Sequence, residues 1–139
     1  MATKAQGTVL KFKPSGGEQA VVGRLTSVGE ISPDSEEIDV TTLDSADGYR
    51  EFMQGYRDSG EVEIAGYHDK GDSGQAALRT AFAAGTAGDA EVTFPDGTAV
   101  SFKAFVKRHT LGAAEVDGAV GFGAVLRITG AVTVTLPQA

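Results

Sequence analysis

Eight apolar residues near the C-terminus, Val120, Phe122, Ala124, Leu126, Ile128, Val132, Val134 and Leu136, all fall on even positions. Their odd neighbours include Gly121, Gly123, Arg127, Thr129, Thr133 and Thr135. Residues two apart share a face only in a strand, so this pattern describes one buried and one wetted side of a sheet. Period 2 runs straight through Gly130. The segment is therefore one long strand, or two consecutive strands bent at that glycine.

A second alternation, Val100, Phe102, Ala104 and Val106 against Ser101, Lys103, Lys107 and His109, predicts a partner strand over 98–106. Just before it, Phe94-Pro95-Asp96-Gly97-Thr98 suits a type I turn closed by a left-handed glycine, which joins 91–94 and 98–106 as a hairpin. Further strands are expected at 8–13, 20–28, 36–41 and from Gly60 through Ile64, and a polar connection at 110–118 leads into the final run. One helix is expected, over 73–84. Asp72 and Gln75 have capping-box spacing, Leu78, Ala81 and Phe82 form the apolar stripe, and Gly85 is the stop. The fold class is mainly β, a β-sandwich or barrel of about seven or eight strands flanked by that one helix.

The 139 residues suit a single domain over 1–139. At 14.3 kDa a compact monomer would expose roughly 6,800 Å². The chain has no cysteine, which removes disulfides and thiolate metal sites. No apolar run of signal-peptide length follows Met1, and none approaches the roughly 20 residues of a membrane helix, so a chain without membrane anchoring is expected. The net charge of −7 is uneven. Residues 30–72 carry 13 acidic and three basic side chains, and the remainder six and nine. An acidic middle argues against a phosphate-gripping surface there.

The sequence offers little catalytic chemistry. Gly71-Asp72-Ser73-Gly74 resembles the surroundings of a serine-protease nucleophile. However, His68 is too close in sequence to serve as a base across a cleft, and helix capping already accounts for Asp72 and Ser73. His68 and His109 lack metal-ligand spacing and are expected at the surface. Glu61 and Glu63 share one strand face, whereas glycosidase carboxylates flank a substrate from opposite sides. The acidic run from Asp34 to Asp47 lacks calcium-loop spacing. Gly121-Phe122-Gly123 precedes no helix, so it marks a bend or a close backbone rather than a dinucleotide site. No catalytic residue, cofactor or metal is expected.

Three stretches, taken together, are more specific. They are Ile38-Asp39-Val40-Thr41-Thr42-Leu43-Asp44-Ser45, Gly48-Tyr49-Arg50-Glu51-Phe52 and Gly60-Glu61-Val62-Glu63-Ile64. They are followed by the Asp72, Gln75, Leu78 helix, then Phe94 to Thr98, then Phe102-Lys103-Ala104-Phe105-Val106, then Leu126-Arg127-Ile128-Thr129-Gly130. In this order, from about Val21 to Thr135, the chain resembles the major tail tube proteins of long-tailed, siphovirus-like bacteriophages and of phage-derived gene transfer agents.

The resemblance implies the phage tail tube fold, hexameric rings stacked into a hollow tube, and a virion protein rather than an enzyme. It implies DNA passing through the lumen without specific binding. It also implies tail terminator, tape measure and distal tail proteins as partners, and assembly in the bacterial cytoplasm. An N-terminal arm at about 1–7 and a long inter-subunit loop at about 42–59 would bridge copies. Tyr49, Arg50, Phe52, Met53 and Tyr56 would be the subunit contacts, with packing of the aromatics on their own domain as the alternative. Glu37, Asp39, Glu61 and Glu63 are the candidate lumen lining, with an outer wall as the alternative. The chain ends at Ala139 without the immunoglobulin-like domain of some tail proteins, so no decoration module is expected. Two other functions stay open, a type VI secretion-like tube subunit and a small β-sandwich binding module. The second is weakened by the absence of tryptophan.

Overall fold

The computed structural model describes residues 6–112, 116 and 118–137. Most of the expected N-terminal arm and most of the connection after Gly112 lie outside these residues. Within them the chain forms strands β1 (Val9–Lys13), β2 (Ala20–Val22), β3 (Leu25–Val28), β4 (Asp34–Asp39), β5 (Phe52–Asp58) and β6 (Glu61–Tyr67). Helix α1 (Ser73–Ala84) follows, then β7 (Gly88–Thr93), β8 (Ala99–Gly112) and β9 (Gly121–Thr135).

Seven strands form one antiparallel sheet in the order β2-β1-β7-β8-β9-β6-β3. Its two edge strands, β2 and β3, are neighbours in sequence, with only Gly23 and Arg24 between them. In a flat sheet of that width the edges would lie roughly 29 Å apart, at about 4.8 Å per strand. A two-residue link reaches only about 11 Å. The sheet must therefore roll up, and the described fold is a barrel closed by the chain itself. Residues 20–28 are thus two strands rather than the single one expected. Arg24 takes a left-handed φ of 62° at the break. There the backbone turns from pairing with β1 to pairing with β6.

The inward positions of the alternating strands fill the barrel. Leu10, Phe12, Val62, Ile64, Val92, Phe102, Ala104, Phe122, Leu126 and Ile128 form one buried cluster with Leu78 and Ala81 of α1. The helix starts and stops where its sequence signals stand. Asp72 accepts from the Gln75 backbone N–H at 3.0 Å, and Gly85 ends it at φ 70° with its N–H on the Ala81 carbonyl. The capping box is not reciprocal, however. The fully buried Gln75 side chain donates to the Gly23 and Tyr67 carbonyls at 3.1 and 2.9 Å and accepts from the Asp69 N–H at 3.1 Å. Asp72 also accepts from the Gly23 N–H at 3.0 Å. The N-terminus of α1 therefore fastens the seam where β2 hands over to β3. A Cβ on Gly74 would collide with the Val21 carbonyl, so glycine lets the helix lie directly on β2.

The hairpin between β7 and β8 turns as expected. Gly97, at φ 96°, donates to the Phe94 carbonyl at 2.9 Å. Strand β9 is continuous through Gly130, but its register with β8 slips there. Ser101 faces Thr133 and Lys103 faces Thr129. Beyond this bulge the even positions leave the core, and Val134 and Leu136 are exposed. His68 and His109 are half-buried rather than on the surface, and the His109 ring stands edge-on to Phe82 at 4.8 Å.

Candidate assembly surface

Strands β4 and β5 form a separate two-stranded antiparallel sheet. The long loop expected at about 42–59 thus contains a strand, Phe52–Asp58. The reason it was hidden is physical. All of β5 except Gly55 is exposed on both sides, so it carries no one-sided alternation of the kind that announces a barrel strand, whereas β4, equally exposed, was expected from the alternation Glu37-Ile38-Asp39-Val40. Gly55 lies against the Ile38 side chain and lets the two strands close. The hairpin stands out from the barrel as an arm.

The turn of the arm is knit to itself. Glu51 donates its N–H to the Thr41 hydroxyl at 2.7 Å, and the Val40 N–H donates to the Glu51 carbonyl at 2.9 Å. The Ser45 hydroxyl donates to the Glu51 carboxylate at 3.0 Å, and the Thr42 N–H donates to Ser45 at 3.0 Å. Asp39 accepts from the Thr41 N–H at 2.9 Å and pairs with Arg50 at 3.6 Å. The hydrogen bonds from Thr41 hold the Asp39 carboxyl below its ordinary pKa.

The root of the arm is tied to the barrel. Asp58 and Arg127 pair at 2.7 Å, and this hydrogen bond is the main reason the Asp58 carboxyl is held low. The Ser59 hydroxyl donates to the Gly130 carbonyl at 2.6 Å, and the Ile128 N–H donates to the Gly60 carbonyl at 3.0 Å. Between the arm and the outer half of β9 runs an open groove of about 950 Å³. Pro33, Tyr56 and Arg57 line one side, and Thr129 to Val132 the other.

All five expected contact residues lie on this arm. Tyr49 and Tyr56 are 75% and 87% exposed, and Phe52 and Met53 about half exposed. Sequence reasoning missed three further apolar side chains, Ile38, Val40 and the fully exposed Leu43. An apolar residue amid the acidic run was the available signal for Leu43. The four expected lumen carboxylates do not form one group. Glu37 and Asp39 lie on the arm, while Glu61 and Glu63 face outward from β6 in the barrel sheet. Glu61 pairs with Lys107 at 3.0 Å, so that face carries charges of both signs.

A barrel that leaves an apolar-edged hairpin outside its core exposes a surface of the kind that contacts another molecule. Residues 15–134 match the lambda phage tail tube protein family, and the chain belongs to that family. It is a tail protein of a phage-like particle, of the tube-building class. No curated protein matches it.

Solved structures agree. The tail of an empty gene transfer agent particle, refined with C6 symmetry, has a subunit 25% identical, with a TM-score of 0.77 over 96% of this chain and 99% of that one. The virion of a native gene transfer agent gives 24% identity and a TM-score of 0.75, over 96% and 99% of the two chains. The SPP1 tail tube shares the fold at 18% identity, with a TM-score of 0.72, over 99% of this chain and 81% of that one. Of the readings left open by the sequence, the family match selects the phage-type tube.

Proposed function

We propose that copies of this chain form hexameric rings that stack into a hollow tail tube, with the β4–β5 arm as the element that reaches a neighbouring copy. The observation that carries the reading is the arm itself, a two-stranded sheet with Tyr49, Phe52, Met53 and Tyr56 exposed. Such a hairpin is marginal alone in water and gains stability only by packing against something else. The C6 symmetry of a tail built from a similar subunit supports the ring.

In the assembled tube Tyr49, Phe52, Met53 and Tyr56 are the apolar anchors, and Arg50 is the polar contact beside them. Large aromatic side chains supply most of the energy of such contacts. DNA passes through the lumen, and carboxylates on its wall keep phosphates from lingering. Glu63 and Glu61 of the barrel, and Glu37 and Asp39 of the arm, are the candidates for that lining. Tail terminator, tape measure and distal tail proteins are the partners at the tube's ends and within it.

The test is the double variant Tyr49→Ala with Phe52→Ala. Its circular dichroism and melting temperature should stay near those of the parent. The concentration needed for tube assembly should rise more than about thirtyfold, the cost of one lost hot spot of about 2 kcal/mol. Tubes formed at the parental concentration would end the anchor role.

A further inference from the structure

Among the described residues the hydrogen bonds that tie the arm to the barrel lie near its root, yet it must present side chains at its far end to another molecule. Over the seven residues of β5 the strand rise gives a lever of roughly 23 Å. A rotation of about 10° at the root would move the far end by roughly 4 Å, which is larger than the tolerance of a packed contact. Something at the root has to fix the angle.

Two backbone links join arm and barrel, residues 29–33 before β4 and Ser59–Gly60 after β5. The first is pinned where the Gly29 N–H donates to the Glu63 carbonyl at 2.7 Å. The second contains Gly60 at φ 80°, a conformation open to rotation. Three bonds tie it to β9. The Ile128 N–H holds the Gly60 carbonyl, the Ser59 hydroxyl holds the Gly130 carbonyl, and Arg127 holds Asp58, whose other carboxylate oxygen accepts from the Gly60 N–H at 2.8 Å. Only the last grips the arm strand itself, because Asp58 is the final residue of β5. Arg127 stands between Phe105 and Glu61 in the barrel sheet, and Lys107 takes up Glu61. That leaves the guanidinium to point at the arm.

We infer that Arg127 is a positioning residue, whose pairing with Asp58 sets the angle of the β4–β5 arm and so controls assembly without supporting the fold. This rests on the arm being the assembly element. Both side chains are partly exposed, at 35% and 60%. An exposed pair of this kind adds little to folding stability. Its value lies in direction, because the planar guanidinium prefers particular approaches to a carboxylate.

The experiment compares Arg127→Ala, the near-isosteric Asp58→Asn, and the charge-swapped pair Asp58→Arg with Arg127→Glu, alongside the Tyr49→Ala, Phe52→Ala variant. Melting temperature and assembly threshold are read for each full-length chain. The single variants should melt as the parent does and need roughly tenfold more protein to form tubes. The swapped pair should recover most of that loss. Single variants that assemble like the parent, or a swap that restores nothing, would overturn the clamp. The arm reading would survive either result if the aromatic variant still failed. Normal assembly of the aromatic variant would remove the arm reading itself.

Discussion

Gln75 carries more of this fold than any exposed charge. Its fully buried amide makes three hydrogen bonds that join α1 to the β2–β3 seam and the end of β6. Removing one partner leaves buried carbonyls and an N–H unmet, at about 1–3 kcal/mol. Gln75→Ala should therefore lower stability by about 2–4 kcal/mol in urea unfolding, once the cavity is added. Gly74→Ala should cost about 1–3 kcal/mol through collision with the Val21 carbonyl. Acid acts through a different set. Asp39, Asp58 and Asp69 are held below their ordinary pKa, by hydrogen bonds from Thr41, from Arg127 and from the Gly71 N–H respectively. A lowered carboxylate contributes stability above its unfolded pKa of about 3.9 and loses it as pH falls through the folded value. All three carboxyls are open to solvent, so the contribution is small: denaturation midpoints should hold between about pH 7 and 5 and fall only slightly below about pH 4. The spacing of Asp72 and Gln75 was legible as a helix start. That Gln75 would turn away from the cap to the seam was not, because its partners lie up to 52 residues away.

At the scale of elements, the barrel and the arm are bound very differently. All barrel strands but the edges β2 and β3 are paired on both sides, and the sheet packs over one core. The arm has two strands and no buried residue of its own. In monomer, backbone amides of β4 and β5 should exchange with deuterium far faster than those of β6, β8 and β9. In tubes they should become protected. Fast exchange in the assembled state would place the arm outside the contacts. What was legible at this scale followed from local chemistry. The helix bounds came from Asp72 and Gly85, the β7–β8 turn from Pro95-Asp96-Gly97, and β9 from its period. The break at Arg24 and strand β5 were not legible. One is imposed by barrel closure, and the other lacks a buried face to give it a period. The groups at the arm's root were hidden for the same reason, because Asp58 and Arg127 meet across 69 residues.

The whole molecule has too much surface for a finished globule. Its accessible area is 9436 Å², against the roughly 6,800 Å² expected of a compact chain of this mass, an excess of about 2,600 Å². That excess is in the range that stable oligomers bury between copies. The acidic excess of residues 30–72 was visible in the sequence, and the structure gives it a location, since most of it lies on the arm. Under the proposed assembly, an excess of one charge sign on the arm argues for tube formation favoured by added salt, which screens the repulsion between arms. Turbidity or light scattering should therefore show a lower assembly threshold at about 0.5 M salt than at about 0.05 M.

Electron microscopy of the purified protein, concentrated stepwise and followed by size exclusion, reads directly whether the chain builds a tube through its arm. Hollow tubes of stacked six-fold rings are expected, with density from each subunit's arm lying on a neighbour. Rings or tubes whose arms project free into solvent would contradict that expectation. So would a chain that stays monomeric at every concentration and is missing from the tails of purified particles.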